Sequence, residues 1–116
     1  MKIAHITIHT AKLEESVKFY SEVLGLSIKA RFSTPDGKNI VFLSGGEDDT
    51  AIELITDEDH PFDGKGISIG FHVQEVESAH EQMESSGLNP SPIISPNPQT
   101  KFFFITDPNG VSIQLI

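Results

Sequence analysis

The sequence predicts an α+β fold of two tandem βαβββ modules, and three observations predict it. The order of elements read in residues 1–58 recurs in residues 64–116. Each half closes on nearly the same hexapeptide, TAIELI at residues 50–55 and VSIQLI at residues 111–116. Each half also carries a Gly-Leu pair after its helical stretch, Gly25-Leu26 and Gly87-Leu88, offset by 62 residues. Self-similarity of this kind sets the architecture before any single element is argued.

Taken in order, each module opens on an alternating strand, KIAHITIH in the first and GISIGFHV in the second. Leu13, Val17, Tyr20 and Leu24 then recur at helical spacing, and Gly25 stands where a helix stops. Val76, Ala79 and Met83, followed by Gly87, repeat the arrangement. Three strand-like runs follow each helix: LSIKARFS, NIVFLS and TAIELI, then LNPSPIIS, KFFFIT and VSIQLI. Turn chemistry separates them, with Pro35-Asp36-Gly37 and Gly45-Gly46 in one half and Asp107-Pro108-Asn109-Gly110 in the other. Residues 89–98 carry four prolines, which cannot donate ladder hydrogen bonds, so this segment is an edge strand or a loop near a pocket mouth. Residues 57–64, DEDHPFDG, read as the linker.

At 116 residues the chain is the size of one domain, 1–116, in which two half-size modules share a core. Its apolar runs fall far short of the ~20 residues a membrane span needs, and its start lacks the apolar centre of a signal peptide. No membrane partner is expected, and a cytoplasmic location is the default. The absence of cysteine removes disulfides, thiolate metal sites and a cysteine nucleophile. A net charge of −9, with Arg31 the single arginine, argues against nucleic acid, whose phosphates need a basic stripe.

Strand parity sorts the polar residues, because successive side chains point to opposite faces. The first strand places Ala4, Ile6 and Ile8 on one face and Ile3, His5, Thr7 and His9 on the other. Ile52 and Leu54 separate from Ala51, Glu53 and Ile55. Ile67, Ile69, Phe71 and Val73 separate from Gly66, Ser68, Gly70 and His72, and Val111, Ile113 and Leu115 from Ser112, Gln114 and Ile116. The apolar faces must pack on the helices. The polar faces are either solvated, as one side of an antiparallel sheet commonly is, or line a concavity. Gly66 and Gly70, which weaken a strand but permit close approach, favour the concavity, and Phe102-Phe103-Phe104 puts at least one ring on that side.

The paired βαβββ plan, AHITIHTAKLEESVKFYSEVLGL near the start, AIELI closing the first module and FFFITDPNGVSIQLI closing the second resemble the vicinal oxygen chelate superfamily. That group includes glyoxalase I, bleomycin-resistance proteins and extradiol dioxygenases. The resemblance implies a cupped, barrel-like mixed sheet with helices on its outer face, completed by homodimerisation, holding a small molecule in the cup. It further implies one divalent ion (Ni, Zn, Mn or Fe) held by residues from the first and last strands of each module. Those positions are His5, Glu53, Ser68 and Gln114 here. His5 and Glu53 have ligand chemistry, Gln114 offers only a neutral carbonyl oxygen, and Ser68 is a poor ligand while its hydroxyl is protonated. His72 lies four residues beyond Ser68, about 13 Å along a strand at roughly 3.3 Å per residue, too far to replace it, and the same arithmetic separates His9 from His5.

The sequence thus leads to metal candidates His5, Glu53 and Gln114 in an incomplete set, with Glu53 a candidate base and Thr7, Ser68, His72, Phe102 and Phe104 as ligand-binding candidates. Two functions follow from the resemblance: a small-molecule binder, metal-free or metal-dependent, and a metal-dependent lyase of the glyoxalase I type. Replacing the usual carboxylate by Gln114 weakens the second, as does the shortage of basic residues for glutathione's carboxylates.

Overall fold

The computed structural model describes every residue, Met1–Ile116, as two compact units, Met1–Asp63 and Gly64–Ile116. The first unit contains β1 (His5–Thr10), α1 (Leu13–Lys18), a π-helical turn (Phe19–Val23), β2 (Ser27–Ser33), β3 (Asn39–Ser44) and β4 (Ala51–Thr56). The second contains β5 (Ser68–Phe71), α2 (Val76–Ser85), β6 (Ile94–Asn97), β7 (Thr100–Thr106) and β8 (Ser112–Leu115). The α+β class and the βαβββ order of each half are as the sequence predicts.

The sheets share one topology, β1-β4-β3-β2 and β5-β8-β7-β6. In each, the first and last strands run parallel at one edge and the middle two complete an antiparallel meander. Parallel neighbours need a long crossover, supplied here by the helix and the two middle strands.

Burial follows parity. In the first unit Ile8, Val41, Leu43, Ile52 and Leu54 are buried on the face that α1 covers with Leu13 and Val17, while Tyr20 fills the core from the π turn. In the second, Phe103, Ile105, Ile113 and Leu115 are buried on the face against which α2 packs Met83. Each such side chain contributes about 1.5–3 kcal/mol by leaving water.

The first helix departs from the expected regular one. Leu24 N–H bonds to Phe19 O, five residues back, so the last turn is widened. Phe19 and Tyr20, consecutive and both buried with their rings edge to face at 5.2 Å, fall in this widened turn. The extra residue also explains a slip in the repeat. Leu13 and Val76, where the helices begin, are 63 residues apart, but Gly25 and Gly87 only 62. Both glycines end their helices in the left-handed region, φ +72° and +77°, and the next N–H turns back onto the helix, Leu26 to Tyr20 O and Leu88 to Met83 O. The first closure spans one residue more.

Two further expectations are refined. Ile67, read as core-facing, is 69% exposed, because β5 starts only at Ser68, after a turn at Gly66 with φ +89°. The proline-rich segment supplies the edge strand β6, whose register with β7 is irregular between Ile94 and Asn97. No helix is long and apolar enough to cross a membrane.

Candidate functional site

The polar face of the first unit is built by register. Thr7 of β1 lies beside Glu53 of β4, and Glu53 lies opposite Phe42 of β3. The Thr7 hydroxyl donates to Glu53 Oε1 at 2.5 Å, and His5 Nε2 sits 3.4 Å from the same oxygen. Glu53 is largely covered, its side chain 14% exposed, while His5 is 46% exposed. The second carboxylate oxygen of Glu53 has no partner in the chain, so it is the free acceptor of this face.

Two rings outside the residues singled out by the sequence frame this group. Phe42 meets the His5 ring edge to face at 5.6 Å, and Phe32 stacks on Phe42 at 6.2 Å with planes 17° apart. Phe42 sits in the continuous apolar run Ile40-Val41-Phe42-Leu43, which marks neither face, and only its register opposite Glu53 puts it on the polar side. Phe32 is not legible either, because an irregularity between Ile28 and Ala30 shifts the parity of β2. Beside Phe42 lies a depression of about 420 Å³ lined by Ala4, Ala30, Ala51 and Ser44, with Lys29, Glu47 and Asp49 at its rim.

His9 belongs to a different group. Its Nδ1 is 2.9 Å from Asp57 Oδ2, Lys38 Nζ is 3.8 Å from that oxygen, and the His60 backbone N–H donates to Asp57 Oδ1. The His60 N–H, then the His9 ring, hold the Asp57 carboxyl below its ordinary pKa. Together with the Phe62 N–H bonded to His9 O, these contacts fasten the segment after β4 onto β1.

The polar face of the second unit repeats the register with other chemistry. Ser68 lies beside Ser112 and Gly70 beside Gln114, and Phe104 pairs with Gln114 from β7. Gly70 therefore stands where Thr7 stands, and Gln114 where Glu53 stands. A Cβ at Gly70 would lie 3.2 Å from Gln114 Oε1, so the amide packs over the bare backbone. The half-buried Gln114 amide has no partner within the chain. Phe102 and Phe104 share this face, edge to face at 5.7 Å, while Phe103 is fully buried behind them against the ring of His80 at 5.0 Å. His80 donates from Nε2 to Ser91 O at 2.8 Å and acts in packing.

His72 lies one residue past the end of β5, where its Nδ1 donates to Ile116 O at 2.9 Å. It lines an open groove of about 470 Å³ with Val76, Pro98, Thr100 and the Glu77–Lys101 ion pair. Of the residues the sequence names, the structure thus brings together His5, Thr7 and Glu53 on one sheet and Ser68, Gln114, Phe102 and Phe104 on the other, and sets His72 apart at the end of β5.

The family model described as Glyoxalase/Bleomycin resistance protein/Dioxygenase superfamily matches residues 2–115. The chain belongs to this superfamily. It is 30% identical over 124 residues to the lactoylglutathione lyase of Neisseria meningitidis, a match covering all of this chain and 90% of that protein. Against the lactoylglutathione lyase of Haemophilus influenzae it is 29% identical, covering 92% of that protein. Among solved structures, the trypanothione-dependent glyoxalase I of Leishmania major superposes with a TM-score of 0.81 at 25% identity, covering 100% of this chain and 86% of that one. The glyoxalase family protein of Enterococcus faecalis has the same fold, with a TM-score of 0.81 at 20% identity over 98% of this chain and 95% of that one. The superfamily member covers between 86% and 95% of the length of each of these four relatives.

Proposed function

We propose that this superfamily member binds a small organic molecule on the polar face of its first sheet, with Glu53 as the ionisable group that meets it. The supporting observation is the His5–Glu53–Thr7 group: a covered carboxylate with one oxygen satisfied by Thr7, the other free, beneath an aromatic wall of Phe42 and Phe32. Apolar and aromatic walls with a few convergent polar groups are the usual make-up of a small-molecule site. A base held this way can accept a proton from a ligand within hydrogen-bond reach.

The donors present do not fit a tight divalent-ion site. His5 Nε2 and Glu53 Oε1, at 3.4 Å, are spaced as two ligands about 2.0–2.2 Å from one ion would be. Only this one imidazole–carboxylate pair is present at this site, however, since no three His, Asp or Glu side chains converge. At the matched positions of the second unit Ser68 and Gln114 bring neither imidazole nor carboxylate. The binding reading therefore stands without a metal. A thermal-shift screen of small organic molecules tests it: at least one ligand should raise Tm equally with and without EDTA. No hit, or hits abolished by EDTA and restored by Ni or Zn, would overturn it.

The second reading, a lactoylglutathione-lyase-type activity, is favoured by the full-length match at 30% identity to the Neisseria meningitidis enzyme. Metal content after tag-free purification, followed by isomerisation of the methylglyoxal–glutathione hemithioacetal, decides it; absence of both removes it. In either reading we expect a homodimer, which light scattering checks.

A further inference from the structure

The polar face of the second sheet carries no ionisable side chain. From β5 to β6 it presents Ser68, Gly70, Ser112, Gln114, Phe104 and Phe102. Lys101, the nearest charge along β7, has the opposite parity and is engaged with Glu77 of α2. In a chain with 25 charged side chains among 116 residues, a whole sheet face without one restricts what can rest on it. A charged ligand group there would leave water without an opposite charge to meet, which is costly, whereas an uncharged hydrogen-bonding group meets a partner of its own kind.

That partner is Gln114. Its carboxamide offers both a carbonyl acceptor and N–H donors, is half-buried, and has no partner in the chain. Phe104 flanks it across the strand pair, and Oε1 sits over Gly70, 3.2 Å from where a Cβ would be. A Cβ at Gly70 would push the amide aside by a few tenths of an ångström, and a threonine, as at the matched position Thr7, would supply a hydroxyl to satisfy it. The bare glycine does neither, so the amide keeps its place and its hydrogen-bonding capacity.

We propose that Gln114 and Gly70 form a docking point for an uncharged planar group bearing an adjacent donor and acceptor, a carboxamide or lactam, with Gln114 the binding residue and Gly70 the specificity-determining one. This rests on the small-molecule reading above and names the chemical class of ligand group that the second sheet takes. The group pairs with the Gln114 amide through two hydrogen bonds and lies against Phe104 by its flat side.

Benzamide, benzoate and benzamidinium test the proposal, since they share size and planarity and differ in charge and donor pattern. Titrated into ¹⁵N-labelled full-length protein, benzamide should move the Gln114 side-chain NH₂ and the Gly70 and Phe104 amides, with a Kd at least tenfold below either ion's. Gln114→Glu should reverse the order in favour of benzamidinium, and Gly70→Ala should weaken benzamide at least fivefold while leaving its preference over the ions smaller. The conservative Gln114→Met, which keeps side-chain length, guards against a folding artefact and should abolish the benzamide shifts with the remaining spectrum unchanged. Benzoate or benzamidinium binding as tightly as benzamide at these signals, an unchanged order in Gln114→Glu, or no shift with benzamide would overturn it. An overturned preference alongside other ligand hits in the thermal-shift screen refutes the ligand class alone; an empty screen refutes the binding reading itself.

Discussion

The two modules have the same strand order and register, yet they resolve one position in opposite ways. Where Thr7 lies beside Glu53 in the first, Gly70 lies beside Gln114 in the second. The first pair is a carboxylate with a hydroxyl donor and an imidazole 3.4 Å away; the second is a neutral amide over a bare backbone. The opposite faces show no such divergence, since Ile52 and Leu54 match Ile113 and Leu115 in both type and burial. Core positions cannot drift without leaving a cavity, whereas polar positions that face no packed partner change at little cost in stability. Duplication has kept the scaffold and released the chemistry.

The largest expected effect breaks the contrast between faces. Phe103→Ala, at a fully buried position, should destabilise by about 3–5 kcal/mol, whereas Phe104→Ala, one residue on and facing outward, should cost far less, as urea denaturation will read. Thr7→Val removes the hydroxyl donor of Glu53 and should cost about 0.5–1.5 kcal/mol by the same measurement. Its mirror, Gly70→Thr combined with Gln114→Glu, rebuilds the first module's pair in the second. If the missing charge is what weakens the donor set, divalent-ion affinity by calorimetry should rise at least tenfold over the natural chain; no gain would mean the second face is built for something other than an ion.

The pH dependence separates Asp57 from the polar faces. Its carboxyl pKa is lowered from the ordinary 3.8, chiefly by the His60 N–H and then by His9. A lowered folded-state value stabilises above the unfolded pKa and is lost as pH falls below it. The stability gap between the natural chain and Asp57→Asn should therefore be present at about pH 5 and close as pH drops through roughly 4 and below. The smallest effect belongs to Glu14→Gln. Its bidentate pair with Arg31 is surface-exposed, and the change should move stability by no more than about 0.5 kcal/mol.

Much of this was legible in the chain before folding. The alternation in HITIHT and SIQL assigned each residue to a face because a strand's period is two, and no tertiary contact can alter which side successive residues take. The matched pairs Glu53 and Gln114, and His5 and Ser68, followed from the repeat for the same reason. The helix stops at Gly25 and Gly87 were equally local, since they need only a residue tolerant of positive φ.

What the sequence could not determine depends on which strands lie side by side. That Thr7 rather than His9 serves Glu53 comes from parallel register, set by backbone bonds between residues 46 apart. That His9 is claimed by Asp57 depends on where the segment after β4 returns, and that His72 falls outside β5 depends on where pairing with β8 ends. The aromatic wall of Phe42 and Phe32 exists only because β2 and β3 stack the rings across a shifted register. The π turn departs inside one element: the spacing of Leu13, Val17, Tyr20 and Leu24 asks for a regular helix, and the chain instead widens its last turn, in which Phe19 and Tyr20 are both buried. By itself the sequence determined which residues share a face; the tertiary structure decided which of them meet, because meeting is fixed by contacts between segments far apart in the chain.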